Sequence, residues 1–189
     1  STPFQFENTG VKFLQPTTGC NLSFVLNSLP NTKKEISDIL ALYGLKLSFD
    51  QASQQIKLLK HLSDDSIYLV PFNSMADTLQ RIMFYKTAIA SNEKSIIIFE
   101  EPEAHSYPPY ISKITTDIMY SETNQFFITT HSPYVLNDFM ENQRENLAIY
   151  LVDFVDGETS VGRLTTKQLE KVYQYGVDLF FNSEISLNQ

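Results

Sequence analysis

Two short polar clusters hold most of the residues that could do chemistry in this chain. Glu100-Glu101-Pro102-Glu103 sets three carboxylates within four positions, and Thr129-Thr130-His131-Ser132 sets hydroxyls and an imidazole about thirty positions later. Each follows an apolar run, Ile96-Ile97-Ile98-Phe99 before the acids and Phe126-Phe127-Ile128 before the hydroxyls. Carboxylates at the end of an apolar strand are costly unless they meet a cation, an array of donors or water. Successive strand side chains point to opposite faces, so Glu100 and Glu101 must serve different purposes. Carboxylates that organise a magnesium ion and a water, beside an imidazole that donates to a phosphate oxygen, are suited to phosphoryl transfer. The plainer readings are a solvated acidic loop and a surface histidine. They weaken only if both clusters reach one edge of one sheet.

The intervening elements predict that they do. Neither apolar run alternates with polar residues, as expected of strands covered on both faces in a parallel sheet. Between them, Pro109 can open a helix whose Ile111, Ile114 and Ile118 share a face. A right-handed strand, helix, strand crossover makes the two strands parallel, with their carboxyl ends on the same edge. Ligands of open α/β sheets bind beyond such ends. After His131, Ser132 is a suitable N-cap and Pro133 a suitable first residue for a helix through Val135, Leu136 and Phe139.

Farther out, residues 1–31 show no sustained helical period. Thr32-Lys33-Lys34-Glu35 reads as a capping box opening a helix over 33–43, with Ile36, Ile39, Leu40 and Tyr43 on one side and Gly44 as its stop. Leu45–Asp50, Gln55–His61 and Ser66–Pro71 read as an antiparallel meander, with Ser63-Asp64-Asp65 as a turn. From Ser74 a period of 3.6 takes over, with Met75, Leu79, Ile82, Met83, Ile89 and Ala90 on one stripe, ending near Ser91-Asn92. Downstream, a hairpin is expected from strands over 147–154 and 160–164 joined at Val155-Asp156-Gly157-Glu158. Thr165-Thr166-Lys167-Gln168 then caps a last helix carrying Leu169, Val172 and Tyr173 and stopping at Gly176.

Composition narrows the class. With 189 residues, 42% hydrophobic and 19% charged, the chain is expected to form a single globular domain. A net charge of −8 argues against a protein that coats nucleic acid through a dense basic stripe, though it leaves room for a local basic patch. Cys20 is the only cysteine, so no internal disulfide and no cysteine-based zinc site can form within one chain, which suits a cytoplasmic setting. No run approaches the roughly 20 apolar residues of a membrane helix, so no membrane partner is expected.

Ile96 to His105, ending Glu100-Glu101-Pro102-Glu103-Ala104-His105, resembles the Walker B motif of ABC-like ATPases, in the form found in overcoming-lysogenisation-defect nucleases, related bacterial AAA-type proteins and SMC-like heads. Thr129-Thr130-His131-Ser132-Pro133 is similar to the switch-histidine loop of the same proteins. The resemblance implies an α/β fold, a partial P-loop NTPase with parallel core strands, flanking helices and an antiparallel meander. It implies ATP and Mg2+ as cofactors, Glu100 at the magnesium position, Glu101 as the general base and His131 on the γ-phosphate. It covers about Leu69 to Phe180, including the tail Tyr175-Gly176-Val177-Asp178, with residues 1–68 adding a helix and antiparallel strands. At the place of the ABC signature the chain reads Asn73-Ser74-Met75-Ala76-Asp77-Thr78, without the glycine. Ser74 there either offers its hydroxyl and a helix N-terminus to phosphate or is an ordinary capping box with Asp77. Where relatives continue Leu-His-Pro, this chain has Ser106-Tyr107-Pro108, so no role passes to a second histidine.

The sequence holds no GxxxxGK[ST] phosphate loop. Gly157 to Gly162 has the glycine spacing, but Arg163-Leu164 follows in a hairpin setting. The expectation is therefore the C-terminal part of an ATPase head, nearly inactive alone, whose partners are a Walker A lobe of the same protein and a second subunit that closes over ATP. DNA is left open as a client. With its neighbouring strand missing, the edge near Phe126 to Thr130 should recruit a second copy or the chain's own N-terminal segment. Two other readings stand beside this one. Glu100, Glu101, Glu103 and His131 could form a self-contained metal-dependent nuclease or phosphatase site, or the chain could be a non-catalytic interaction module with an ATPase fold.

Overall fold

The computed structural model describes residues 6–62, 66–142, 146–175 and 179. In chain order the elements are helices α1 (Leu22–Asn27) and α2 (Pro30–Ala41), strands β1 (Leu45–Asp50), β2 (Gln55–His61) and β3 (Ile67–Pro71), and helix α3 (Asp77–Ser91). Then come β4 (Ile96–Glu100), α4 (Pro108–Met119), β5 (Gln125–Thr129), α5 (Pro133–Asn142), the hairpin β6 (Tyr150–Val155) and β7 (Glu158–Arg163), and α6 (Thr166–Tyr175). The anticipated turn at 63–65 and the stop and tail at 176–178 lie outside the described residues.

The parallel pair forms as the apolar runs require. β4 and β5 align in parallel with Ile98 opposite Phe127 and Glu100 opposite Thr129. Ile97 and Phe99 point into the core with Ile111, Ile114 and Ile118 of α4 and Ile82 and Met83 of α3. Tyr85 on α3 packs edge-on against Phe99, ring centres 4.8 Å apart. The meander β1-β2-β3 is antiparallel, with Ile56 and Leu58 buried against the same core. A smaller cluster of Met140, Ile149, Leu164, Leu169 and Val172 lies under the hairpin and α6, and Leu147 packs against both clusters. The Thr165–Gln168 box closes reciprocally: the Thr165 N–H donates to Gln168 Oε1 at 2.9 Å and the Gln168 N–H to Thr165 Oγ1 at 3.3 Å.

Four expectations need correction. β4 and β5 are covered on one face only: Ile96 and Ile98 are 66% and 73% exposed and Phe127 52%. An unbroken apolar run cannot distinguish a strand covered twice from one covered once and left open. The second helix starts at Pro30 rather than after Thr32, because proline's fixed φ suits the first turn; Thr32 is thereby drawn inside the helix and buried. Helix α3 starts at Asp77 with Ala76 at its N-cap and no side-chain cap, so Ser74 and Asp77 are not a capping box. Ala90, assigned to its buried stripe, is exposed.

The N-terminal segment does not fill the open edge. From Phe6 it runs along α3: Phe6 packs on Phe72, and the Leu14 N–H donates to Ser91 Oγ at 3.0 Å. Fully buried Asn21 organises it, accepting from the Gln15 N–H at 2.9 Å and donating to the Phe13 carbonyl at 2.9 Å. Gly19 (φ +63) lets it pass Phe84, since an added Cβ would lie 2.7 Å from the ring. Among the described residues, β5 pairs with β4 alone.

Lys86 locks the helical layer. Only 5% exposed, its ammonium reaches Asp117 of α4 at 2.5 Å and Glu35 of α2 at 2.9 Å. Burial disfavours its charge, but the hydrogen bonds it donates to Asp117 and Glu35 prevail and hold its pKa above the ordinary lysine value. With one cation shared between two acids, burial leaves the Asp117 carboxyl raised. Lys86→Met should cost on the order of 3 kcal/mol in urea unfolding, the low end for a broken buried pair because both acids keep some contact with water. Because the lysine's pKa is raised on folding, its contribution is complete below the unfolded value and fades as pH rises through the folded one. The wild-type advantage over Lys86→Met should therefore hold at pH 8 and shrink at the alkaline extreme.

Candidate functional site

The acidic turn and the histidine loop meet beyond the carboxyl ends of β4 and β5. The strand pairing runs one bond past β4, where the Glu101 N–H donates to the Thr129 carbonyl at 3.0 Å. At Glu101 the chain turns into a left-handed conformation (φ 41), as it does again at His105 (φ 57), with Pro102 buried between them. Non-glycine residues seldom adopt this backbone, and such strain gathers at functional sites. The turn is closed by the Ala104 N–H donating to the Glu101 carbonyl at 3.0 Å.

This geometry gives the three glutamates separate environments. Glu100 is exposed and continues the face that carries Ile96 and Ile98. Glu101 turns the other way and places Oε1 3.3 Å from His131 Nε2. The imidazole is 82% exposed and the carboxylate 46%, so this contact adds little to stability. Glu103 faces inward: its Oε1 accepts from the Thr130 hydroxyl at 2.7 Å and from the His131 N–H at 2.8 Å. The Thr130 hydroxyl oxygen in turn accepts from the Ser132 N–H at 3.0 Å, shaping the loop ahead of α5.

Helix α3 supports the turn from below. Its Thr78 hydroxyl donates to the His105 carbonyl at 2.7 Å, and Arg81 Nη2 donates to the Glu101 carbonyl at 3.2 Å and to the Tyr85 hydroxyl at 3.0 Å. Burial pushes the Tyr85 hydroxyl above its ordinary pKa; the Arg81 charge opposes this and those of Glu103 and Asp77 add to it. Tyr85 therefore stays neutral near pH 7 and serves as an acceptor for Arg81. Sequence reading singled out neither Arg81 nor the bridging role of Glu103. Arg81 gave no separate signal, since Asp77, Thr78 and Gln80 beside it are polar and the same helix carries a second cation, Lys86.

Glu100, Glu101 and His131 thus gather at one edge, and Ser74 is exposed in a turn of 3₁₀-helix, Phe72–Ser74, ahead of α3. The four residues of the self-contained metal-site reading are not arranged as ligands. Among the described residues no group of three or more His, Cys, Asp or Glu side chains could hold a metal ion. Strand alternation sends Glu100 to the opposite face, and Glu103 Oε1 is already engaged. No described helix is long and apolar enough to cross a membrane.

Solved structures with this arrangement of elements define the class. An SMC ATPase solved for the structural biochemistry of ATP-driven dimerization and DNA-stimulated activation superposes at TM-score 0.50 with 13% identity, over 82% of this chain and 96% of that one. The SmcHead bound to the C-winged helix domain of ScpA gives TM-score 0.51 at 14% identity, over 78% of this chain and 46% of that one. The Pyrococcus yayanosii Smc head domain with a coiled coil and joint gives 0.50 at 14%, over 80% and 30%. At such identities the likeness establishes the fold, that of an SMC-type P-loop NTPase head.

The chain belongs to the family described as AAA domain, putative AbiEii toxin, Type IV TA system, whose match spans residues 24–137, more than half of the chain. That span starts well before Leu69, taking in most of α1, α2 and the meander, and ends within α5. Protein ea59 of Escherichia phage lambda is 39% identical over 49 residues, which cover 24% of this chain and 9% of that protein. The chain thus spans under a tenth of the length of that curated relative.

The strain in the turn can be checked at His105. Glycine there should leave stability within about 1 kcal/mol of wild type, whereas His105→Val should lose about 1–2 kcal/mol, since a β-branched side chain fits the left-handed region worst. Chemical denaturation of the three proteins separates these outcomes; a harmless valine would show that the turn is not strained.

Proposed function

We propose that this chain supplies the catalytic edge of an ABC-type ATPase head, hydrolysing ATP held between two subunits with Mg2+. The observation that carries the reading is the 3.3 Å approach of Glu101 and His131 beyond a parallel strand pair, both side chains open to solvent. In this reading Glu101 takes the proton of the attacking water and His131 contacts the γ-phosphate, a division of work that needs a carboxylate and an imidazole within one reacting group's reach. Ser74, exposed ahead of α3, is assigned to the nucleotide of the partner subunit.

Magnesium keeps several waters and takes one or two carboxylates with phosphate oxygens. A lone exposed Glu100, with Thr129 opposite it in register, fits such an ion. Glu100 would hold the ion directly or through water; bound there, the ion would neutralise charge on the transferring phosphoryl group.

The open face of β4 and β5 favours a Walker A lobe as the remaining part of the head. Leaving Ile96, Ile98 and Phe127 in water forgoes roughly 1.5–3 kcal/mol for each side chain that could be fully buried. A helix following a phosphate loop would cover that face and bring main-chain N–H groups to the edge where Glu100 lies. DNA is the first client to test, because an SMC relative of the same fold is activated by it. A soluble cytoplasmic setting completes the proposal.

In the complete protein, Glu101→Gln should bind ATP as wild type does yet lose about 10²–10⁴ in turnover, the usual worth of a general base. Phosphate release paired with equilibrium nucleotide binding tests this. Unaltered turnover in the variant would remove Glu101 from the chemistry and place the general base elsewhere.

A further inference from the structure

We propose that Arg81 and Glu103 are positioning residues that hold the Glu101–His131 pair from two sides. This deepens the ATPase reading and rests on it for the turnover measurement alone.

Thr78, Arg81 and Tyr85 recur at the spacing that lines up side chains on one face of a helix. Two of them grip the acidic turn at its strained residues. Thr78 holds the carbonyl of His105 at 2.7 Å and Arg81 that of Glu101 at 3.2 Å. The Tyr85 hydroxyl, 3.0 Å from Arg81 Nη2, and the Tyr85 ring, 5.5 Å from the guanidinium carbon, fix the direction of the Arg81 fork. Opposite them, Glu103 clasps the histidine loop through the Thr130 hydroxyl and the His131 N–H. These bonds end on main-chain groups or on Thr130, so they orient Glu101 without occupying its carboxylate.

The cluster also holds unused bonding capacity. Arg81 Nε and Glu103 Oε2 are both buried without a hydrogen-bond partner. Buried groups of this kind are rare and costly, most of all on charged side chains. Two ionic side chains thus keep bonding capacity beside the turn they hold.

Three variants test the inference. Glu103→Gln keeps the side chain's shape and an acceptor oxygen but removes the charge that strengthens its bonds. Arg81→Gln removes the fork, and Arg81→Lys keeps the charge without the fork. In the 189-residue chain, NMR should show the His131 amide proton moving upfield in Glu103→Gln. The His131 imidazole resonances should move in Arg81→Gln and move less in Arg81→Lys. In the complete ATPase, both glutamine variants should lower kcat about ten- to a hundredfold with KM for ATP changed less than about twofold, and Arg81→Lys should recover part of the loss. Thermal melts identify variants that stay folded, and Arg81→Lys provides the Arg81 result if Arg81→Gln does not fold. Unmoved His131 resonances in folded variants, or a loss confined to KM, overturns the proposal. A wild-type protein without ATPase activity would sink the functional reading, and the NMR result would still decide the positioning roles.

Discussion

The parallel registration of β4 with β5 is the constraint on which the site depends. It places Glu100 opposite Thr129, and one further main-chain bond, from Glu101 to the Thr129 carbonyl, carries the alignment into the loops. A slip of one residue would reverse which side chains face the core, bringing Glu100 inward and turning Phe99 out. The core forbids it: Ile97 and Phe99 fit among α3 and α4 residues that are themselves buried, and Phe99 is met edge-on by Tyr85. The distance between Glu101 and His131 is therefore set by hydrophobic packing several residues away from either.

Helix α3 has two duties that compete for the same rigid body. Toward its C-terminal half, Lys86 ties it to α2 and α4 through ions that would be expensive to separate. Toward its N-terminus, Thr78 and Arg81 hold the acidic turn through neutral carbonyls, bonds worth less and easier to exchange. The helix is thus held by ion pairs at one end and by hydrogen bonds to main chain at the other.

What the sequence made legible follows from which interactions are local. The meander, the strand, helix, strand unit and the Thr165–Gln168 cap each depend on residues a few positions apart, and all appear where the pattern placed them. The juxtaposition of Glu101 and His131 was also readable, because the handedness of the crossover turns a sequence separation into a spatial neighbourhood. The Thr32 box failed because Pro30, two residues earlier, competes for the same helix start. The order of residues 6–21 could not be read, since it depends on one buried asparagine bonding to main chain on both sides of a loop. Arg81 and Glu103 were hidden for a related reason: each acts on a backbone atom, and main-chain partners leave no signature in a sequence.

The two glutamates that follow β4 show how a strand end can divide labour without extra residues. Alternation alone would send Glu101 to the core face, where an unpaired carboxylate is costly. The left-handed backbone at Glu101 ends the strand at that residue, lifts its side chain back toward the solvent edge and directs it at His131. Glu100, one residue earlier, still obeys the strand and stays on the open face beside Ile98. Alternation separates the two adjacent acids, and one strained dihedral keeps the second out of the core, so that one faces the uncovered apolar surface and the other the imidazole. In the proposed ATPase reading, that separation would keep the ligand of a cation and the proton acceptor from competing for the same ion.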